Sequence, residues 1–189
     1  MQQFHFEKSS IEGVMLIEPF IMKDNRGLFI KDFEHDVFYQ NGIGDILWQE
    51  EFYSTSQKGV VRGMHFQLHK PQAKLVSYIQ GRIYDVVVDL RKDSDTFKKW
   101  LAVDLSSVNH RSLFIPKGCA HGFMALENNS IMSYKCQGEY FKEYDTGILW
   151  NDPDIDISWP LNKFDKIILN EKDKNAMSLQ YFIDSYGGF

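Results

Sequence analysis

Apolar positions along the chain gather in short runs, with no sustained helical stripe. VMLIEPF (14 to 20), LFIKDF (28 to 33), LVSYIQ (75 to 80), RIYDVVVDL (82 to 90), WLAVDL (100 to 105), SLFIP (112 to 116), GFMAL (122 to 126) and IMSYKC (131 to 136) are strand-length and rich in β-branched and aromatic residues. Turn signals separate them, among them Asn25-Arg26-Gly27, Gln80-Gly81, Pro116-Lys117-Gly118 and Asn128-Asn129. Many short strands at this spacing predict an all-β sandwich or barrel. Helical pattern is confined to residues 36 to 42, closed by Asn41-Gly42, and to the tail, where Asn170 can cap a helix over NEKDKNAMSL. The stretch WNDPDIDISWP (150 to 160) reads as a turn-rich crossing between the β body and that tail.

The chain contains no internal repeat, low-complexity segment or linker rich in Pro, Gly or Ser, so residues 1 to 189 are expected to form one domain. A hydrophobic share of 43% is enough for one substantial core, and 15% aromatics favour a β-rich interior. The formal charge of -5 argues against general affinity for nucleic acid or an anionic membrane. It leaves room for a local basic pocket that takes a small phosphorylated ligand. The opening MQQFHFEKSS lacks a signal pattern, and no run approaches the roughly 20 apolar residues of a membrane span. The two cysteines, Cys119 and Cys136, are expected as buried thiols, and the cytoplasm is the expected address.

Two polar clusters interrupt the apolar pattern. In GVVRGMHFQ (59 to 67), Arg62 and His65 fall on opposite faces of a regular strand, so aiming both inward requires a bulge, and Gly63 is the place for it. In Pro116-Lys117-Gly118-Cys119-Ala120-His121, the spacing fits the P-x-G-x-x-H turn of a second cupin motif, which carries a histidine into a barrel. The first cupin motif would supply H-x-H and a glutamate for a metal; here His65, Gln67 and Lys74 stand at the matching places. An ammonium repels a divalent cation and an amide is a poor ligand for a soft metal, so no metal is expected. Two histidines with Arg62 and Lys74 suit an anion or a developing oxyanion instead. Taken singly, each of these residues is as well explained by a core histidine, a surface ion pair or a lysine reaching solvent.

Taken together with their surroundings they carry a resemblance. Asp24-x-Arg26-Gly27-x-Phe29, GVVRGMHFQ, AKLV (73 to 76), YDVVVDLRKDSDTFKKW (84 to 100), IPKGCAHGF (115 to 123), Tyr134-Lys135, GILWNDPDIDISWP (147 to 160) and NEKD (170 to 173) come in order over nearly the whole length. The chain resembles the dTDP-4-dehydrorhamnose 3,5-epimerase family. The resemblance implies a cupin jelly roll with short peripheral helices and a helical tail, and a homodimer with amino-terminal strands paired across its interface. It also implies inversion at C3, C5 or both of a nucleotide-activated 4-keto sugar, by deprotonation and reprotonation beside the ketone, with no redox cofactor.

By position, the resemblance makes His65 the general base, Asp173 its orienting carboxylate, Tyr134 the acid on the opposite ring face and Lys74 the stabiliser of the enolate oxygen. An imidazole with an ordinary pKa of about 6.5 suits proton removal, and a phenol at about 10 is protonated and able to donate. The resemblance further implies that His121 contacts substrate and that Arg26 and Arg62 bind phosphates, for which a forked guanidinium is apt. It also places Tyr140, Asp145 and Lys172 on the nucleotide side, and Gln67 of the first cluster and Glu51, at a position of substrate recognition, are further substrate-binding candidates.

The chain departs from the family pattern where it reads Glu50-Glu51-Phe52 for a Gln-Asp-Asn run, Lys31 for a glutamate and Ser77 for an arginine, all positions of substrate or nucleotide recognition. Two carboxylates could accept the paired N–H donors of a guanine, which raises a GDP-linked 4-keto heptose of capsule biosynthesis as an alternative substrate. Three further readings compete: a 3,4-ketoisomerase, which moves the ketone; a metal-dependent cupin oxygenase, which Gln67 and Lys74 discourage; and a sugar-nucleotide binding module without chemistry.

Overall fold

The computed structural model describes every residue except Gln2 and Asp45. Among the described residues thirteen strands carry the fold: β1 (His5–Lys8), β2 (Met15–Glu18), β3 (Phe20–Asp24), β4 (Gly27–Lys31), β5 (Trp48–Ser56), β6 (Val61–Gln67), β7 (Ala73–Gln80), β8 (Arg82–Asp89), β9 (Trp100–Ser106), β10 (Ser112–Ile115), β11 (Cys119–Ala125), β12 (Ser130–Gln137) and β13 (Asp145–Gly147). One sheet runs β1-β2-β10-β7-β12-β5 and the facing sheet β13-β6-β11-β8-β9, while β3 and β4 form a separate hairpin. The ladders of these sheets are antiparallel, and the two facing sheets make the all-β jelly roll of the cupins. Each of the eight apolar runs falls mainly on strand, the first divided between β2 and β3 at Pro19.

Those runs are continuous where a sheet is covered on both faces, as over β8 and β11, while the β5 edge of the six-stranded sheet keeps an exposed outer face. Between the sheets lie Val76, Tyr78, Met132 and Cys136 from one side and Ile83, Val87, Leu105 and Phe123 from the other. On the outer face of the five-stranded sheet, Val86, Val88, Ala120 and Met124 pack against Ile155, Ile157, Trp159, Leu179 and Phe182 of the C-terminal part. On the outer face of the six-stranded sheet, Met15, Ile17, Leu75 and Phe114 sit under Phe38 and Ile43. Consecutive valines of β8 therefore serve two cores in turn.

Phe38 belongs to the short helix α1 (His35–Phe38), which widens over Tyr39–Ile43 and ends at Gly42 and Gly44, both at positive φ. The tail differs from the single helix expected over 170 to 179. Asn170 does cap α2 (Glu171–Lys174), accepting from the Asp173 N–H at 2.7 Å, but the helix stops at Asn175. There Met177 bridges to Ile148, its carbonyl accepting from Leu149 N at 2.9 Å, so sheet-like pairing overrides helical propensity. A second helix, α3 (Leu179–Tyr186), starts at Ser178, whose hydroxyl accepts from Tyr181 N, and closes on left-handed Gly187. It buries Leu179 and Phe182, worth about 2 kcal/mol each in area removed from water. Residues 150 to 160 are irregular, as expected, and both cysteines are buried and unpaired.

Candidate active site

The bulge demanded by Arg62 and His65 is present. In the β6–β11 ladder His65 faces His121 and Arg62 faces Phe123, so Gly63 and Met64 together oppose Gly122 alone. Both glycines are obligatory: a Cβ on Gly63, at φ +133, would lie 2.5 Å from Gly122 Cα, and one on Gly122 would lie 2.8 Å from the Arg62 carbonyl. With the register stepped, both side chains enter one cavity of roughly 470 Å³. Lys74 enters from β7, Tyr134 from β12, and Glu50, Phe52 and Ser54 from β5.

Each histidine rests on a buried carboxylate. His65 Nε2 lies 2.6 Å from Asp173 Oδ1, and His121 Nε2 lies 2.9 Å from Asp85 Oδ2. A carboxylate accepts, so in both rings Nε2 carries the hydrogen and Nδ1 keeps the basic lone pair. Asp173 reaches His65 because the Asn170 cap fixes the first turn of α2, and its second oxygen accepts from Gly63 N at 3.3 Å. Asp85 reaches His121 along adjacent strands, with no solvent exposure on its side chain. Burial raises the Asp85 carboxyl above its ordinary range, against the pull of His121 and Lys74.

Burial also lowers the Lys74 ammonium below the usual lysine range. Among the described residues it pairs with no carboxylate. Burial raises the Tyr134 phenol, with the Ser54 hydroxyl 3.5 Å away pulling weakly the other way, so the group stays protonated at neutral pH. Phe52, directly opposite in the β5–β12 register, stacks on its ring at a centroid distance of 4.8 Å. Arg62 is steadied by the Ser56 hydroxyl at 3.1 Å and the Thr55 carbonyl at 2.9 Å. Cys119 also lines the cavity, but burial pushes its thiol up to about 12, which makes it a poor nucleophile.

At the mouth, Tyr140 donates its hydroxyl to Asp145 Oδ2 at 3.1 Å, and Lys172 meets the same oxygen at 2.5 Å. These residues and His65 also border a second cleft of roughly 510 Å³, on the Asp173 side of the imidazole. Ten of the twelve residues singled out from the sequence thus surround His65 and its cavity: His65, Asp173, Tyr134, Lys74, His121, Arg62, Gln67, Tyr140, Asp145 and Lys172.

Glu51 does not, and this corrects its placement in the site. Strand β5 alternates, sending Glu50, Phe52 and Ser54 inward and Glu51 outward to Lys135 Nζ at 3.0 Å. Ser77 likewise lies outside the cavity, its hydroxyl accepting from Ser112 at 2.9 Å. Arg26 stands at the β3–β4 turn with its side chain 86% exposed, held by Asp24 and outside the cavity of its own chain. Asp85 was not singled out from the sequence; its signal was a lone carboxylate inside the apolar run YDVVV. The inward side of Glu50 and Phe52 follows from the parity of β5, which the apolar pattern does not determine.

A sequence model of the dTDP-4-dehydrorhamnose 3,5-epimerase family matches residues 8–181. The dTDP-4-dehydrorhamnose 3,5-epimerase of Methanothermobacter thermautotrophicus is 49% identical, over 95% of this chain and 97% of its own length. Among solved structures, the dTDP-6-deoxy-D-glucose-3,5-epimerase of Legionella pneumophila, in complex with dTDP-4-keto-L-rhamnose, superimposes with a TM-score of 0.90 at 37% identity over 94% of each chain. A 4-keto-6-deoxy sugar epimerase from Streptomyces spheroides gives a TM-score of 0.91 at 31% identity over 97% of this chain and 92% of its own. The chain belongs to the dTDP-4-dehydrorhamnose 3,5-epimerase family.

Proposed function

We propose that the protein inverts the carbons beside the ketone of a thymidine-diphosphate 4-keto-6-deoxyhexose, at C3, C5 or both, and that residues 1 to 189 form one catalytic unit. His65 Nδ1 takes the proton from the carbon next to the carbonyl while Asp173 steadies the imidazolium that forms. The electrons of the broken C–H bond move to the C4 oxygen, where the Lys74 ammonium stabilises the enolate. Tyr134 returns a proton to the opposite face of the ring, completing the inversion. His121, with Asp85 behind it, supplies further polarity, and Arg62 takes phosphate. The observation that carries this reading is the meeting in one cavity of a carboxylate-backed imidazole, a buried phenol and an ammonium that pairs with no carboxylate among the described residues.

The guanine alternative loses one of its two carboxylates, since Glu51 faces Lys135, and the relatives compared above act on thymidine-linked or 4-keto-6-deoxy sugars. Those relatives are named as epimerases, which disfavours the ketoisomerase reading. Incubation with the thymidine-linked 4-keto-6-deoxyglucose in heavy water, followed by NMR, tests the proposal. Deuterium at C3 or C5 with the carbonyl carbon in place supports it; a relocated carbonyl, or binding without exchange, ends it.

We further propose a homodimer, supported by the exposed apolar side chains of the β3–β4 hairpin, Met22, Leu28 and Phe29. Such pairing would bring Arg26 to a neighbouring chain's phosphate site. Sedimentation at micromolar concentration that returned only monomer would exclude it. The cytoplasm, where two unpaired thiols are stable, is the proposed location; no helix among the described residues is long and apolar enough to cross a membrane.

A further inference from the structure

Gln67 lies two residues beyond His65 on the same face of β6, buried at 4% exposure, and nothing in the proton transfer above uses it. Its amide is fully engaged. Nε2 donates to the Lys70 carbonyl at 3.0 Å and the Glu139 carbonyl at 3.1 Å, and Oε1 accepts from Phe141 N at 2.5 Å. Both N–H donors are therefore committed to the chain itself. Beside it, Glu50 Oε1 accepts from Tyr140 N at 2.8 Å. Two cavity-wall side chains thus hold three successive residues, Glu139, Tyr140 and Phe141, of the loop at the mouth.

We propose that Gln67, with Glu50 as its second anchor, is a positioning residue that fixes this loop so that the Tyr140 ring stands over the nucleotide end of the cavity. The assignment rests on the reading that the mouth takes the nucleoside diphosphate. It gives Gln67 a role in affinity through Tyr140, in place of the direct substrate contact inferred from the sequence. It also gives the Glu50 carboxylate a partner, the Tyr140 backbone N–H, in the wall of the cavity.

Two measurements test it. In the ligand-free protein, amide hydrogen exchange at Tyr140 and Phe141 reads the loop without any nucleotide. Gln67→Met is expected to speed exchange at Phe141, and Glu50→Ala at Tyr140, about tenfold each, as loss of one hydrogen bond of about 1 kcal/mol or slightly more implies. Glu50→Gln keeps an acceptor oxygen and is expected to restore slow exchange at Tyr140. Unchanged exchange in Glu50→Ala overturns the anchor even if Gln67→Met does not fold.

The second measurement is a double-mutant cycle on thymidine diphosphate binding by calorimetry, with KM and kcat for the 4-keto sugar alongside. Gln67→Met and Tyr140→Ala are each expected to raise Kd, and combining them to add less than about twofold beyond the larger single effect. KM is expected to rise with Kd while kcat moves by less than about twofold. Additive effects on Kd, or a fall in kcat at constant KM, overturn the proposal. Failure of deuterium incorporation in the unaltered protein would instead strike the catalytic reading and leave the exchange result standing.

Discussion

The two histidines of the cavity are cross-strand neighbours, yet the carboxylates behind them come from different parts of the chain. His121 and Asp85 sit 36 residues apart on adjacent central strands, with side chains 5% and 0% exposed. His65 and Asp173 are 108 residues apart, the imidazole is 29% exposed, and its carboxylate comes from a four-residue helix outside the sheets. The first pair is as fixed as the core around it. The second is open on its Asp173 side to another cleft and depends on the docking of the tail. A base must take up and give up a proton at each turnover, so the open pair suits that work and the enclosed pair suits fixed polarity.

That contrast is broken most sharply at the base. His65→Ala is expected to lower kcat about 10³-fold, the order that general-base catalysis supplies, with an unchanged circular dichroism spectrum. Retention of most activity would move the base to His121. Asp173→Asn keeps the cap geometry of α2 but removes the charge behind the imidazolium, and an expected loss of about 10²-fold in steady-state turnover follows. If Asp85→Asn costs as much as Asp173→Asn, the division between working and supporting pairs is wrong; about tenfold is expected for it, as a supporting dipole is weakened rather than removed.

The electrostatics sharpen the same comparison with smaller effects. Lys74 must be charged to stabilise an enolate, and its ammonium loses its proton below the usual lysine range. The pH–rate profile is therefore expected to fall on its alkaline limb at a pH below about 10.4, while the raised Tyr134 phenol remains a donor throughout. An alkaline limb unchanged in Lys74→Arg would assign it to another group. Asp85 gives the smallest signal, in stability. Its carboxyl is raised on folding, so its stabilising contribution is complete below the ordinary value of 3.8 and is lost as pH rises through the folded value. Asp85→Asn is expected to melt above the parent at pH 7 and to converge with it below about pH 4. Equal melting temperatures at both pH values would contradict the burial effect.

The sequence revealed the strands because their apolar runs are dense, and the bulge because Arg62 and His65 have incompatible parity around a glycine. It was silent on β5, Trp48–Ser56, whose polar residues, among them Glu50, Ser54 and Ser56, face inward and mimic a solvated segment. Without that strand's register, Glu51 and Glu50 could not be told apart. The tail appeared as one helix because the bridge from Met177 to Ile148 is a long-range contact that local propensity does not encode. Asp173 entered only through family resemblance, since no spacing rule links it to His65.

The late position of Asp173 ties activity to the integrity of the chain's last segment. Asp173 follows all thirteen strands of the described residues in chain order, so both sheets can form before the residue that orients the imidazole is docked. A cut within residues 164 to 170 would sever the covalent tether of that residue and leave it held by the packing of Leu179 and Phe182 and the bridge from Met177 to Ile148. The alignment of the base would then depend on non-covalent docking alone, so dilution or mild denaturant would unseat it before the sheets give way.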